Sequence, residues 1–169
     1  MRPFFLCCRG GCIFFCLTVH TAFEVTNMLK DTDLLNHIRQ TTEMGQDGID
    51  MVMEYADYKP FREALQDQKT EYGKIYRAAD TMLRSRGEEP KEISMMAKLS
   101  SELSSSMKTM HDHSTSKIAE LMIQGNTRGM TKSLQCLDQY NGSDHEVKAL
   151  AEKLLRTEEA NIEQMKPFL

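Results

Sequence analysis

Apolar side chains recur at alternating intervals of three and four residues along several long segments, a spacing that fits helices and excludes strands. Leu35, Ile38, Thr42, Gly45, Ile49, Val52 and Ala56 form one such stripe. Phe61, Leu65, Gln68, Tyr72, Ile75, Ala79 and Met82 form a second. Val147, Ala151, Leu154, Glu158, Ile162, Met165 and Leu169 form a third. No stretch alternates at period two over the length of a strand. The scarcity of proline (4) and glycine (9) in 169 residues also argues against a turn-rich β protein.

Residues 114–142 read as the spine of the fold. Ile118, Met122, Gly125 and Gly129 share one face of a helix there. Each glycine costs an exposed helix roughly 1 kcal/mol against alanine. That cost makes sense where a neighbouring helix approaches the bare backbone, so both glycines are expected at an interface. Asn141-Gly142 supplies the stop, because both residues tolerate the left-handed conformation that ends helices.

Local signals mark the other boundaries. Asp31, Thr32 and Asp33 suit the start of the first helix, where the dipole favours negative charge. Residues 57–60 form a turn, and Pro60 suits the first turn of the second helix. Arg84, Arg86 and Gly87 suit its end. Ser94 caps a third, serine-rich helix lined by Met96, Leu99, Leu103 and Met110, and the run from His111 to Ser114 kinks or breaks it before the spine. Ser143 and Glu146 form a capping box for the last helix. The result is four principal helices, the third region in two pieces, joined by short connections. The expected fold is all-α, an antiparallel four-helix bundle spanning residues 28–169.

Residues 1–27 differ from this body. Four of the five cysteines, Cys7, Cys8, Cys12 and Cys16, fall there. The segment lacks a good cleavage site, a continuous apolar span and paired zinc-type spacings. Glu24-Val25-Thr26 can be encoded by GAG-GTG-ACN, which contains a purine-rich ribosome-binding sequence just upstream of Met28. The segment therefore reads as a non-domain stretch from an over-long gene start, with a secretion signal or membrane anchor as the alternatives. The body retains one cysteine, Cys136, which fits a reducing, cytoplasmic compartment.

Function is less constrained. A net charge of −4 gives no basic footprint for nucleic acid, and no membrane span is expected. Glu158 is the most informative residue, because it occupies a core position where charge is rarely buried unless paired or bound to metal. Glu43, Glu71 and Glu120 offer one further glutamate on each of the other helices, as a carboxylate site for iron or manganese would need. However, none of the four glutamates is followed three residues later by histidine. A partner for Glu158 among Arg128, Lys132 or other bases is the plainer reading. His111-Asp112-His113 resembles a small metal cluster but reads as a polar kink, and His37 and His145 read as surface residues. The thirteen methionines suit an irregular core or an adaptable binding face better than copper(I) ligation. Cys136 reads as an inert thiol.

The phrases TEMGQDGI, RGEEPKEISMMAKL, HSTSKIAELMIQG and KALAEKLLRTEEANIEQMKPFL resemble a family of small, uncharacterised proteins of Bacillus-type bacteria. The likeness covers residues 28–169. It implies a ferritin-like four-helix bundle and carries no assigned activity or functional residues. Two readings of function follow. The first is a non-catalytic module that self-associates or binds a protein partner, with no cofactor. The second is a metal-binding carboxylate bundle using Glu43, Glu71, Glu120 and Glu158.

Overall fold

The computed structural model describes residues 28–89 and 112–169. These residues form four helices: α1 (Asp31–Met53), α2 (Lys59–Ser85), α3 (Thr115–Asp138) and α4 (His145–Met165). A 3-10 turn, Lys166–Phe168, follows α4. Among the described residues there is no strand, only an isolated bridge between Leu29 and Tyr140. No helix there is long and apolar enough to cross a membrane. The readings of residues 1–27, of the serine-rich third helix and of His111 lie outside the described residues.

Most helix ends follow their sequence signals. Pro60 lies in the first turn of α2, where its missing N–H leaves no bond unmade. Gly87, just past the end of α2, has φ 70°, a conformation that only glycine adopts without strain. The Ser114 hydroxyl accepts the Lys117 N–H at 3.3 Å and caps α3.

Two ends differ from expectation. Asp144, rather than Ser143, caps α4: its carboxylate accepts the N–H groups of Glu146 at 2.8 Å and Val147 at 3.3 Å. It also pairs with Arg86, so one side chain ties the end of α2 to the start of α4. α3 stops at Asp138, short of Asn141, because the following residues bind the chain ahead of α1. Leu29 donates its N–H to the Gln139 carbonyl at 2.9 Å and accepts from Asn141 at 3.1 Å. The Tyr140 hydroxyl donates to Asp31 at 2.6 Å, and a Cβ at Gly142 would collide with that same carboxylate.

The core joins all four helices. Leu34, Leu35, Ile38, Ile49 and Val52 of α1 pack with Phe61, Leu65, Ile75 and Leu83 of α2, Ile118 of α3 and Leu154 and Met165 of α4. α1 meets α2 over the greatest length, through the pairs Arg39–Asp80, Gly45–Tyr72 and Asp50–Lys69. α3 packs next most extensively on α4. On α1 the expected stripe is buried at every position but Gly45, which is partly covered. On α4 the alternation continues from Glu158 to Asn161 and Met165, so Asn161 is buried and Ile162 only partly so. Leu169 lies exposed beyond the helix.

The spine face is rotated from its expected position. Ile118, Ala119, Asn126, Ser133 and Cys136 are buried, and Gly129 packs closely against α4. Gly125 instead is exposed, and among the described residues a Cβ there would meet nothing within 4 Å. The two glycines therefore differ in what they do. Gly45 gives a further contrast, since an added Cβ would come within 2.6 Å of the Tyr72 ring. Gly45→Ala is expected to cost about 1–3 kcal/mol in urea unfolding, despite alanine's better helix propensity. Gly125→Ala should instead gain up to about 1 kcal/mol.

Candidate functional site

The least ordinary chemistry of the chain lies inside the bundle. Glu158 is 1% exposed, and one of its oxygens, Oε2, has no hydrogen-bond partner. Gly129 of α3 makes the space, because a Cβ there would overlap Glu158 Oε1. Among the described residues Glu158 has no basic partner: Arg128 and Lys132, its expected partners, both face solvent. Burial without a counter-charge disfavours the ionised form and pushes the carboxyl up to about 8, while hydrogen bonding with Ser133 offsets part of that rise. Glu158 is thus a protonated carboxylic acid at neutral pH.

Ser133 links Glu158 to His37 of α1, whose Nε2 lies 3.1 Å from the Ser133 Oγ. His37 is not the surface residue its sequence context suggests. Burial, with a smaller contribution from Lys132, lowers its pKa to about 4, so the ring is neutral at pH 7. Donor and acceptor chemistry then orders the chain. Because the Ser133 bond lowers the Glu158 pKa, the Ser133 hydroxyl donates to the carboxyl, and in that arrangement it accepts from the protonated Nε2 of the neutral His37 ring. In acyl-transfer triads the imidazole sits between hydroxyl and carboxylate. Here the hydroxyl is in the middle and Ser133 is 2% exposed, so the arrangement can hold a proton but cannot present a nucleophile.

A second set of polar groups lies beside the first. The Tyr72 hydroxyl donates to Asn126 Oδ1 at 2.6 Å, and Asn161 Nδ2 donates to the same oxygen at 3.2 Å. Asn126 returns its own N–H to the Met122 carbonyl at 2.8 Å. Burial raises the Tyr72 pKa, and the Glu158 charge adds to that rise. The core thus carries two polar chains crossing from helix to helix.

The other glutamates named as metal ligands stand apart. Glu43 pairs with Arg39 at 3.6 Å, Glu71 with Lys74, and Glu120 with both Lys117 and Gln124. Each is only partly covered, and each pairs along its own helix. Among the described residues, no three or more His, Cys, Asp or Glu side chains gather where they could hold a metal ion. Asp112 caps the turn into α3 by accepting the Ser114 N–H at 2.8 Å, and His113 stacks on Tyr55 with ring centroids 4.2 Å apart. Cys136 is buried, and burial raises its thiol pKa, as expected of an inert cysteine. Met53, Met82 and Met122 pack against the core, and Met165 lies within it.

His37, Ser133, Asn126 and Asn161 are the site residues that sequence reading missed. Two of them had a usable signal. Once Gly129 is placed inward, Asn126 and Ser133 lie three residues before it and four after it, on the same face.

Comparison with known proteins gives a fold and little more. No protein-family model matches the chain, and no curated protein does. Among solved structures, the chain is similar to the crystal structure of a DUF305 fragment from Deinococcus radiodurans, with a TM-score of 0.65 and 20% sequence identity. The match covers 81% of this chain and 93% of that one. At that identity the likeness is one of fold: a helical architecture shared with an uncharacterised protein.

The two shifted groups make stability depend on pH. Glu158 holds its proton more tightly folded than unfolded, so stability falls as pH rises from 4.5 to about 8. His37 acts oppositely, adding stability as pH rises from about 4 to 6.5. The slopes offset each other below pH 6.5. Above it the Glu158 slope stands alone, and the unfolding free energy should drop by about 2 kcal/mol between pH 6.5 and 8. Glu158→Gln keeps the shape without the charge and should be flat across that window. A flat parent, or a variant with the parent's slope, contradicts the assignment.

Proposed function

We propose that the chain is an antiparallel, ferritin-like four-helix bundle that works as a non-catalytic module and associates with a second copy of itself. The pairs Arg39–Asp80, Gly45–Tyr72 and Asp50–Lys69 support the antiparallel reading, since the α2 numbers fall as the α1 numbers rise. The resemblance to small ferritin-like proteins of Bacillus-type bacteria supports the bundle type. A lone buried cysteine in the body suits the cytoplasm.

One observation carries the association. Of the four large apolar side chains that stand exposed among the described residues, Tyr58 (55%) and Leu169 (63%) flank Phe168 at one end of the bundle. Phe168 packs edge-on against Tyr58 at 6.2 Å and against the core residue Phe61 at 5.0 Å. The core therefore continues outward into a partly uncovered aromatic cluster, the kind of surface that marks a protein contact. Iron or manganese held by Glu43, Glu71, Glu120 and Glu158 is less well supported, since three of these carboxylates already have cationic partners on their own helices.

Sedimentation velocity over a concentration series tests this. The parent should show a reversible dimer or larger species, and the double variant Tyr58→Asp, Leu169→Asp should remain monomeric with unchanged helicity. A parent that stays monomeric throughout, or a variant that associates as the parent does, rejects the reading.

A further inference from the structure

Asn141-Gly142 is the one sequence signal whose role changes in the structure. α3 ends at Asp138, so the pair lies in the connection to α4 and holds the chain ahead of α1. Asparagine followed by glycine also has a chemistry of its own. The glycine nitrogen can reach the side-chain carbonyl of the residue before it, because glycine has no Cβ to shield that nitrogen and a freely turning backbone.

Three features leave that reaction open. Among the described residues, the Gly142 N–H donates to no acceptor. Asn141 is exposed, and its side-chain amide makes one weak bond, from Nδ2 to the Met28 sulfur at 3.6 Å. An open recess of about 420 Å³, lined by Leu29, Asp31, Asn141 and Gly142 among others, gives room for a ring and entry for water. Asn36, Asn126 and Asn161 offer the contrast. All three are buried inside helices, where the next N–H is held in the helical ladder and must give up its bond before it can attack.

We propose that Asn141 is a site of spontaneous deamidation in the folded protein, and that its conversion loosens the clasp between residues 28–31 and the α3–α4 connection. The Gly142 nitrogen gives its proton to hydroxide and attacks Asn141 Cγ. The N–Cγ bond forms, the Cγ–Nδ2 bond breaks, and ammonia leaves with a proton from water. Water then opens the succinimide at either carbonyl, which gives aspartate or isoaspartate. Either product sets a new negative charge in a connection that already packs on Asp31. The isoaspartyl product also adds a methylene to the main chain, where Asp31 and Tyr140 leave no room even for a Cβ on Gly142. The bonds at risk are Leu29 N–H to the Gln139 carbonyl and Asn141 N–H to the Leu29 carbonyl. Tyr58, Phe168 and Leu169 play no part, so the proposal stands independently of self-association.

Mass spectrometry of the full chain, incubated folded in mildly alkaline buffer and then digested with trypsin, tests this. Lys132 and Lys148 bracket a fragment in which Asn141 is the lone asparagine. Its aspartyl and isoaspartyl forms should accumulate at a rate within about tenfold of that in the free peptide of the same sequence. The fragments carrying Asn126 and Asn161 should stay unchanged. In the converted protein the Leu29 amide should exchange its hydrogen at least about tenfold faster than in fresh protein. Asn141→Gln, whose longer side chain disfavours the ring, should show neither change. A folded chain that keeps its amide while the free peptide converts would overturn the proposal. So would a rate that climbs only as urea unfolds the chain, or Leu29 exchange that conversion leaves unaltered.

Discussion

The structure depends on keeping a carboxylic acid dry. Glu158 sits where α1, α3 and α4 converge, with no cation among the described residues to balance it and a bare glycine backbone to receive it. A charge held there would be far out of place, so the group takes the neutral form instead. The close approach of α3 to α4 leaves room for Glu158 because Gly129 carries no Cβ, and burial there favours the protonated acid. Each requirement explains the other: a side chain on α3 would push the carboxyl out to water, where it would ionise at an ordinary pH.

Around this point the interior is organised as layers of differing polarity. Toward the α1–α2 turn the buried positions are apolar, Val52, Ala56, Phe61, Ala64 and Leu65, and Phe168 packs edge-on against Phe61. In the middle it becomes a hydrogen-bonded set running from Gln68 through Asn161 and Asn126 to Tyr72, beside the His37–Ser133–Glu158 chain. Polar cores of this kind fix one alignment of helices, since a slip by one residue leaves several donors and acceptors without partners. Gln68 Oε1 and Glu158 Oε2 are the places where that matching is incomplete.

Much of the fold was legible in the chain. The stripes on α1 and α2 held because their core positions are mostly large and apolar, and the period alone decides such cases. Pro60, Gly87 and Ser114 likewise act as their chemistry suggests. Reading failed where polarity and position disagreed. Asn161 continues the α4 alternation, but an apolar search steps past it to Ile162. On α3, two glycines four apart look equivalent, yet only Gly129 meets α4, and no rule of spacing distinguishes them. His37 follows two buried leucines and gives no local sign that it faces Ser133, ninety-six residues away. The capping of α4 turned on a competition between neighbours, which Asp144 won through its added bond to Arg86. Glu158 was singled out correctly as the anomaly. What the sequence withheld was its setting, a notch at Gly129 and a hydrogen bond with Ser133, with no base beside it among the described residues.

The most direct measurement is the titration of Glu158 itself, by carbon-detected NMR of its side-chain carboxyl in the folded protein. The midpoint should fall near 8, set by burial in the Gly129 notch. A midpoint near 4.5, the value of an ordinary glutamate, would mean that the carboxyl is solvated or paired in solution. The arrangement of the core described above would then be wrong.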